Sequence, residues 1–238
     1  MKPDDPMPAG TTRAVVWDLD GTLIDSLPDL HQVLTRLLAE QGHPAVDQNR
    51  VRNMIGDGAA RFIERGFAAV GQRLDPQRVA ELMPRFLEIY AAMPTDESHL
   101  YPGARDTLEQ LHGSGIRQAV CTNKPKPVTD QVLAELGLDG IFGSVVGGGS
   151  TASRKPDSAP LRLALAELGV AAADAVMIGD SEVDLETARA AGLTAGLVTF
   201  GYARRPVGEL DADFLVERLG DVPGLLETFI PAGQTNPD

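Results

Sequence analysis

Two aspartates one residue apart, Asp18 and Asp20, directly follow an apolar, β-branched run in the segment VVWDLDGTLIDS. A carboxylate at the end of a buried strand costs free energy unless a cation compensates it. A similar apolar run precedes Asp180 in the segment VMIGDSEVD, which also contains Asp184. Carboxylate oxygens are ligands that Mg²⁺ prefers, and the ion offsets repulsion between neighbouring carboxylates. The sequence therefore predicts Mg²⁺ as a cofactor, held by the carboxylates of Asp18 and Asp180.

Residues suited to a phosphoryl group follow further apolar runs. Thr122 and Asn123 supply neutral hydrogen-bond donors, Lys155 supplies a positive charge, and Gly21 allows the backbone to approach a phosphate closely. Asp18 would then attack phosphorus to give an aspartyl-phosphate. Asp20 would protonate the leaving alkoxide and later take a proton from the attacking water. These roles predict a Mg²⁺-dependent phosphatase.

The elements that must position these residues alternate between short apolar runs and amphipathic segments. This alternation predicts an α/β fold with a doubly wound, Rossmann-like parallel sheet, whose site lies beyond the carboxyl ends of its strands. The glycines at 147–149 are expected to form a flexible link to Lys155. The predicted strands are 14–17, 116–121, 144–146, 175–178, 194–199 and one near Phe214, and the helices are 104–111, 128–136, 159–168, 185–191 and 220–229.

One long segment, 26–100, breaks the alternation because it has helical periodicity and no strand pattern. Ser26, Asp47 and Asp75 are expected to cap helices in it, and Pro84 is expected to kink or split one. A helical block of this size indicates an inserted domain. The predicted division is a discontinuous core at 13–25 and 101–230, a helical cap domain at 26–100, and tails at 1–12 and 231–238.

The composition limits the class of partner. The 238 residues include 34 acidic and 21 basic side chains, a formal net charge of −13, so nucleic acid and membrane surfaces are poor partners. The single Cys121 cannot form an intramolecular disulfide, and the amino end does not resemble a signal peptide. We expect a cytoplasmic monomer or homodimer that acts on a small phosphorylated metabolite.

Four motifs in order resemble the haloacid dehalogenase superfamily of phosphohydrolases over almost the whole chain. They are Asp18-x-Asp20-Gly21-Thr22, Thr122, Lys155 and Gly179-Asp180-x-x-x-Asp184. The resemblance implies that Mg²⁺ is bound by the carboxylates of Asp18 and Asp180 and the backbone carbonyl of Asp20, with Asp184 helping to hold the metal site. It also implies that the helical insertion closes over the site and selects the substrate.

Within that superfamily, the segments MIGDGAARFIERG, CTNKPKP and IGDSEVDLETARAAG resemble the subgroup that hydrolyses 2-phosphoglycolate to glycolate and phosphate. Two positions depart from the expected pattern: Trp17 stands where Phe is common, and Asp57 stands where Asn is expected. The expected catalytic residues are Asp18, Asp20, Thr122 and Lys155, and the expected substrate-binding residues are Gly21, Thr22, Asn123, Lys124, Gly56, Asp57 and Gly58.

The sequence is also compatible with other functions. A phosphosugar mutase, or a phosphatase for another small ester, would use the same site. A receiver-like signalling domain also places Asp, Thr and Lys around Mg²⁺, but it lacks an acid two residues after the phosphorylated Asp and a large helical insertion. A non-catalytic scaffold would not need the full set of site residues. Arg52, Arg61 and Arg65 could pair with a substrate carboxylate, although surface charge is their more common role.

Overall fold

A six-stranded sheet organises the computed structural model, which describes residues 13–96 and 99–229. The predicted tails at 1–12 and 231–238 lie outside the described residues. Every neighbouring pair in the sheet is parallel, and the order β3-β2-β1-β4-β5-β6 places β1 in the interior. The predicted α/β class with a doubly wound parallel sheet is confirmed. The strands are β1 (Ala14–Trp17), β2 (Arg117–Pro125), β3 (Ser144–Gly148), β4 (Ala175–Gly179), β5 (Thr194–Val198) and β6 (Phe214–Val216).

Helices cover both faces of this sheet. Side chains along a strand alternate between faces, so Val15 and Trp17 of β1 join one apolar core while Ala14 and Val16 join the other. No helix in the described part of the chain is long and apolar enough to cross a bilayer. The helices are α1 (Leu27–Glu40), α2 (Gln48–Arg52), α3 (Ala59–Ala69), α4 (Pro76–Ala91), α5 (Ala104–Gly113), α6 (Lys126–Glu135), α7 (Ala159–Leu168), α8 (Glu182–Ala191) and α9 (Val222–Phe229).

Strand β2 runs further than expected. The prediction ended it at residue 121, but it continues to Pro125, with an irregular register against β3 between Cys121 and Pro125. The expectation of a flexible glycine link is wrong for Gly147 and Gly148, which belong to β3. A Cβ at either position would lie under 3.0 Å from the backbone of β2 or of the residue that follows it, so the absence of side chains allows this close approach.

The helical insertion, α1–α4, contains no strand among its described residues, as expected. Asp47 and Asp75 accept hydrogen bonds from backbone amides at the starts of α2 and α4, which confirms both caps. Pro84 lies inside α4 without splitting it. Ser26 occupies the N-cap position of α1 as expected, but its side chain makes no capping hydrogen bond.

The amide at the start of α1 has other partners. The Leu27 N–H donates to Asp25 Oδ1 at 3.2 Å and to the Tyr202 hydroxyl at 3.0 Å. That hydroxyl in turn donates to Asp25 Oδ1 at 2.6 Å. Tyr202 follows β5, so it is distant from α1 in the chain. The first helix of the insertion is therefore held at its start by the part of the core that follows β5.

Candidate active site

Three buried carboxylates meet beyond the ends of the two central strands. Trp17 of β1 and Ile178 of β4 are paired in register, so Asp18, one residue beyond Trp17, and Asp180, two residues beyond Ile178, emerge at the same edge of the sheet. Asp184 lies in the first turn of α8, and one oxygen from each of the three side chains lies within 4.8 Å of the others. We call these three residues the acidic cluster. Parallel pairing alone therefore brings together two segments that lie about 160 residues apart in the chain.

Lys155 provides a positive charge inside the acidic cluster. Its Nζ lies 2.8 Å from Asp18 Oδ1 and 2.6 Å from Asp184 Oδ1, and the lysine is 2 % exposed. Although burial opposes a charged amine, the carboxylates of Asp18 and Asp184 raise the pKa of Lys155. The side chain is therefore an ammonium that joins the loop before α7 to the ends of β1 and β4.

Asp184 has both a local and a distant role. Its Oδ2 accepts hydrogen bonds from the backbone N–H groups of Asp180 and Ser181, both at 3.1 Å, and from the Ser181 hydroxyl at 2.7 Å. With Ser181 it forms a capping box, which explains why α8 begins at residue 182 instead of the predicted 185. Although burial opposes ionisation, Lys155 and these hydrogen bonds lower the pKa of Asp184.

The acidic cluster holds more carboxylates than the Lys155 ammonium can compensate. Burial, together with the nearby carboxylates of Asp184 and Asp18, raises the pKa of Asp180 well above its ordinary value. Burial also raises the pKa of Asp18 more than Lys155 lowers it. Three carboxylates facing one ammonium form a hard-oxygen site with excess negative charge, and such a site fits a divalent cation such as Mg²⁺.

Glycines leave the room that the acidic cluster occupies. A Cβ on Gly21 or Gly201 would lie under 3.0 Å from the side chain of Asp180, and a Cβ on Gly179 would lie under 3.0 Å from that of Asp184. Gly21 also has φ +88°, a conformation that other residues rarely adopt. Gly21 is therefore needed for two reasons. It leaves space for the carboxylate of Asp180, and it allows the backbone to turn beside the site.

Asp20 faces a second buried cation. The Nζ of Lys124 donates to Asp20 Oδ1 at 2.8 Å and also donates to the Tyr90 hydroxyl, and its side chain is 1 % exposed. Although burial opposes its charge, Asp20 and then Tyr90 raise the pKa of Lys124. Burial raises the pKa of Tyr90 to about 12, so its hydroxyl stays protonated near neutral pH. Tyr90 belongs to α4, so this contact connects the insertion to the loop after β1.

Asn123 connects three parts of the site. Its Nδ2 donates to the backbone carbonyls of Gly56 at 3.0 Å and Lys155 at 3.1 Å, while its Oδ1 accepts from the Lys155 N–H at 3.0 Å. The hydroxyl of Thr122 accepts from the Lys124 N–H at 3.2 Å. Both expected phosphate donors thus lie in the last part of β2, where the register against β3 becomes irregular.

A small cavity of about 40 Å³ lies between these residues and the insertion. This volume suits a group the size of a few waters. Most of the insertion side of the wall is apolar. The lining residues are Asp18, Asp20, Leu30, Ile55, Gly56, Gly58, Ala59, Phe62, Phe86, Tyr90, Thr122, Asn123, Lys124 and Pro125.

Asp57 differs from the expectation for the insertion. Gly56 and Gly58 line the cavity, but the Asp57 carboxylate instead pairs with Arg65 and with Arg204, which follows β5. Although partial burial opposes ionisation, these two arginines lower the pKa of Asp57. Its negative charge is therefore compensated away from the cavity. Thr22, which was expected to bind the substrate, does not line the cavity, and its buried hydroxyl has no hydrogen-bond partner.

Sequence reasoning missed two tyrosines that border the site. Tyr90 lies in a helix whose apolar periodicity predicts only core packing, and no local pattern distinguishes it from Phe86. Tyr202 donates its backbone N–H to Asp180 Oδ2, and it stands in the segment TFGYA. The glycine just before it was the available signal, because a glycine after a buried strand often marks a close backbone approach.

Comparisons with known proteins agree with this geometry. A family model described as haloacid dehalogenase-like hydrolase matches residues 12–192. A phosphoglycolate phosphatase from Cereibacter sphaeroides is 43 % identical over 216 residues, which cover 91 % of this chain and 98 % of that protein. One from Rhodospirillum rubrum is 44 % identical over 204 residues, 84 % of this chain and 85 % of that protein. The crystal structure of a predicted phosphoglycolate phosphatase from Haemophilus somnus superposes with a TM-score of 0.84 at 28 % identity, covering 92 % and 99 % of the two chains.

Proposed function

The chain belongs to the haloacid dehalogenase-like hydrolases, and we propose that it is a Mg²⁺-dependent phosphatase that converts 2-phosphoglycolate to glycolate and inorganic phosphate. The observation that carries the proposal is the meeting of Asp18, Asp180 and Lys155 at the ends of the central strands. Mg²⁺ would be held by the carboxylates of Asp18 and Asp180 and the backbone carbonyl of Asp20, and when bound it would neutralise charge on the phosphoryl oxygens.

Asp18 is the nucleophile in this proposal. One of its carboxylate oxygens attacks phosphorus, a new oxygen–phosphorus bond forms, and the bond between phosphorus and the ester oxygen breaks. Lys155, 2.8 Å from Asp18 Oδ1, keeps the carboxylate oriented and adds positive charge beside the transferring phosphoryl group. Thr122 borders the same cavity, and its hydroxyl supplies a neutral donor to the phosphoryl oxygens, whereas the side chain of Asn123 holds the backbone of Lys155 and Gly56 in place.

Asp20 handles the protons. In the first step it gives a proton to the leaving alkoxide, which departs as glycolate. In the second step it takes a proton from a water molecule that attacks phosphorus, which breaks the aspartyl-phosphate bond and restores the carboxylate of Asp18. The side chain of Asp20 is 12 % exposed at the cavity wall, so it is open to the bound ester while remaining largely shielded from bulk water.

The insertion selects the substrate in this proposal, which makes segment 26–100 a cap domain. Its wall of the cavity is largely apolar and the cavity is small, which favours a small ester over a bulky one. The two curated relatives described above, at 43 % and 44 % identity, are phosphoglycolate phosphatases, which supports the choice of substrate within this class of small esters.

The test is a screen of small phosphate esters with the purified chain. With Mg²⁺ present, 2-phosphoglycolate should give the highest kcat/KM, and phosphate and glycolate should appear in equal amounts. Chelation by EDTA should abolish turnover, and added Mg²⁺ should restore it. An isomerised sugar phosphate as product, or equal activity with and without chelator, would contradict the proposal.

A further inference from the structure

The cavity contains one positive charge that phosphoryl transfer does not use. Lys155 sits with the acidic cluster, whereas Lys124 is the one cation among the described residues that line the cavity. Its side chain is 1 % exposed. A buried ammonium is costly unless an anion compensates it, and at present that anion is Asp20 at 2.8 Å.

The three arginines of the insertion that could pair with a substrate carboxylate have other partners. Arg52 donates to the backbone carbonyl of Gly201, Arg61 pairs with Glu64 at 2.6 Å, and Arg65 pairs with Asp57 at 2.5 Å. None of these three arginines is among the described residues that line the cavity. A second anionic group on the substrate would thus meet an apolar wall, with Lys124 and the hydroxyl of Tyr90 as the available polar partners on that side.

We infer that Lys124 and Tyr90 form a carboxylate-binding subsite that selects phosphate esters carrying a carboxylate one carbon away from the ester oxygen. This inference rests on the proposed function and identifies the residues that give it specificity. When such a substrate binds, its carboxylate takes the place of the Asp20 carboxylate beside Lys124, and Asp20 turns to the ester oxygen.

Covalent geometry supports this pairing. In 2-phosphoglycolate a single methylene separates the ester oxygen from the carboxylate carbon. The group that protonates the ester oxygen and the cation that holds the carboxylate must therefore be neighbours, and Asp20 Oδ1 and Lys124 Nζ lie 2.8 Å apart. Lys124 Nζ also lies 4.4 Å from the centroid of the Tyr90 ring, which fixes the ammonium from the insertion side.

The discriminating measurement compares two esters that differ only in the second group. They are 2-phosphoglycolate and 2-hydroxyethyl phosphate, which has a neutral hydroxymethyl in place of the carboxylate. Lys124→Met should lower kcat/KM for 2-phosphoglycolate roughly 10- to 100-fold more than for the neutral ester, as expected for the loss of a charged hydrogen bond. Lys124→Arg should keep part of the preference, because it keeps the charge.

Two further variants complete the design. Lys126→Met is the matched control, since Lys126 lies two residues away, pairs with Asp130 at 2.6 Å on the surface and does not line the cavity. It should leave the ratio of the two kcat/KM values unchanged. Tyr90→Phe keeps the ring but removes the hydroxyl, so it should shift the ratio in the same direction as Lys124→Met, by a few-fold. This arm decides the question if circular dichroism shows that Lys124→Met does not fold.

The outcomes separate the inference from the function on which it rests. If the wild type prefers 2-phosphoglycolate but neither Lys124→Met nor Tyr90→Phe changes the ratio, the subsite is wrong and the phosphatase stands. If the wild type hydrolyses both esters equally well, the subsite is also wrong. If it hydrolyses neither ester with Mg²⁺, the proposed function fails, and the inference fails with it.

Discussion

The two walls of the cavity differ in how their residues come together. On the core side, Asp18 directly follows β1 and Thr122 lies in the last part of β2, and their placement follows from the strand register. On the insertion side, the residues come from separate helices, and their placement depends on how those helices pack. The comparison shows that the charges for chemistry are set by the sheet, whereas the shape around the substrate is set by tertiary packing.

The largest effect should follow from removing the proposed nucleophile, Asp18, on the core wall. Asp18→Asn keeps the shape of the side chain but removes its negative charge and nucleophilic oxygen, so kcat should fall by roughly 10³-fold or more. Asp130→Asn, at an exposed position in α6, is the control and should keep full turnover. Steady-state phosphate release measures kcat for both variants. Substantial Mg²⁺-dependent turnover by Asp18→Asn would contradict the assignment of Asp18 as the nucleophile.

The next effect tests the space beside the core wall. The added Cβ in Gly201→Ala would lie under 3.0 Å from both Asp180 and the backbone carbonyl of Gly21, so we expect a loss of about 1–3 kcal/mol of stability. Thermal unfolding with and without Mg²⁺ should show a lower Tm and a weaker stabilisation by the ion. Gly208→Ala, whose added Cβ meets nothing within 4 Å, should behave as the wild type in both respects. Equal behaviour of the two variants would mean that the glycine does not shape the site.

A smaller effect should appear where the insertion meets the core. Arg204 donates to the backbone carbonyls of Asn53 and Ile55 and pairs with Asp57, so it holds the loop that contributes Gly56 and Gly58. Arg204→Gln should raise KM a few-fold with little change in kcat, since the acidic cluster is untouched. Arg205→Gln removes an exposed pair with Glu182 at 3.3 Å and should leave KM as it is. A fall in kcat at constant KM would place the role of Arg204 in the chemical step.

The smallest effect should be a change in the pH dependence of the free energy of unfolding, caused by His99, which lies where the chain passes from the insertion back to the core. His99 Nε2 lies 3.0 Å from Asp29 Oδ2, and although burial opposes its charge, Asp29 raises the pKa of His99. The stabilisation is therefore fully present below the ordinary imidazole value of 6.5 and is lost as pH rises through the raised value in the folded protein. Urea unfolding at pH 6 and pH 8 should show that His99→Gln loses more stability at pH 6. A difference that grows with pH would contradict this sign.

Much of the core side of the site was predictable because each motif is local. Asp18, Asp180 and Lys155 were predicted from apolar runs and the polar residues that follow them, and the structure brings all three together. The length of β2 was not predictable, since it depends on how closely Gly147 and Gly148 let two backbones approach. The start of α1 after Ser26 agrees with the prediction, but the partner of its first amide does not, because the hydroxyl of Tyr202, from beyond β5, accepts that hydrogen bond in place of the Ser26 side chain.

The insertion wall was less accessible to sequence reasoning. Helical periodicity located its helices, but it could not tell that Tyr90 reaches Lys124 while Phe86 packs in the core, because both positions are apolar and buried. Asp57 gave a different difficulty, since its position between Gly56 and Gly58 predicted contact with the substrate although its negative charge would repel an anionic one. Its partners Arg65 and Arg204 come from α3 and from beyond β5, and no local pattern connects them.

The most direct test of the account is a rapid-quench experiment with 2-phosphoglycolate labelled in its phosphate. Acid quenching within the first turnover, followed by proteolysis and mass spectrometry, should recover a phosphorylated peptide with the modification on Asp18. The label should disappear as phosphate is released, and Asp18→Asn should never acquire it. Phosphate release without a labelled peptide at any time, or a label on another residue, would contradict the assignment of Asp18 as the group that accepts phosphorus.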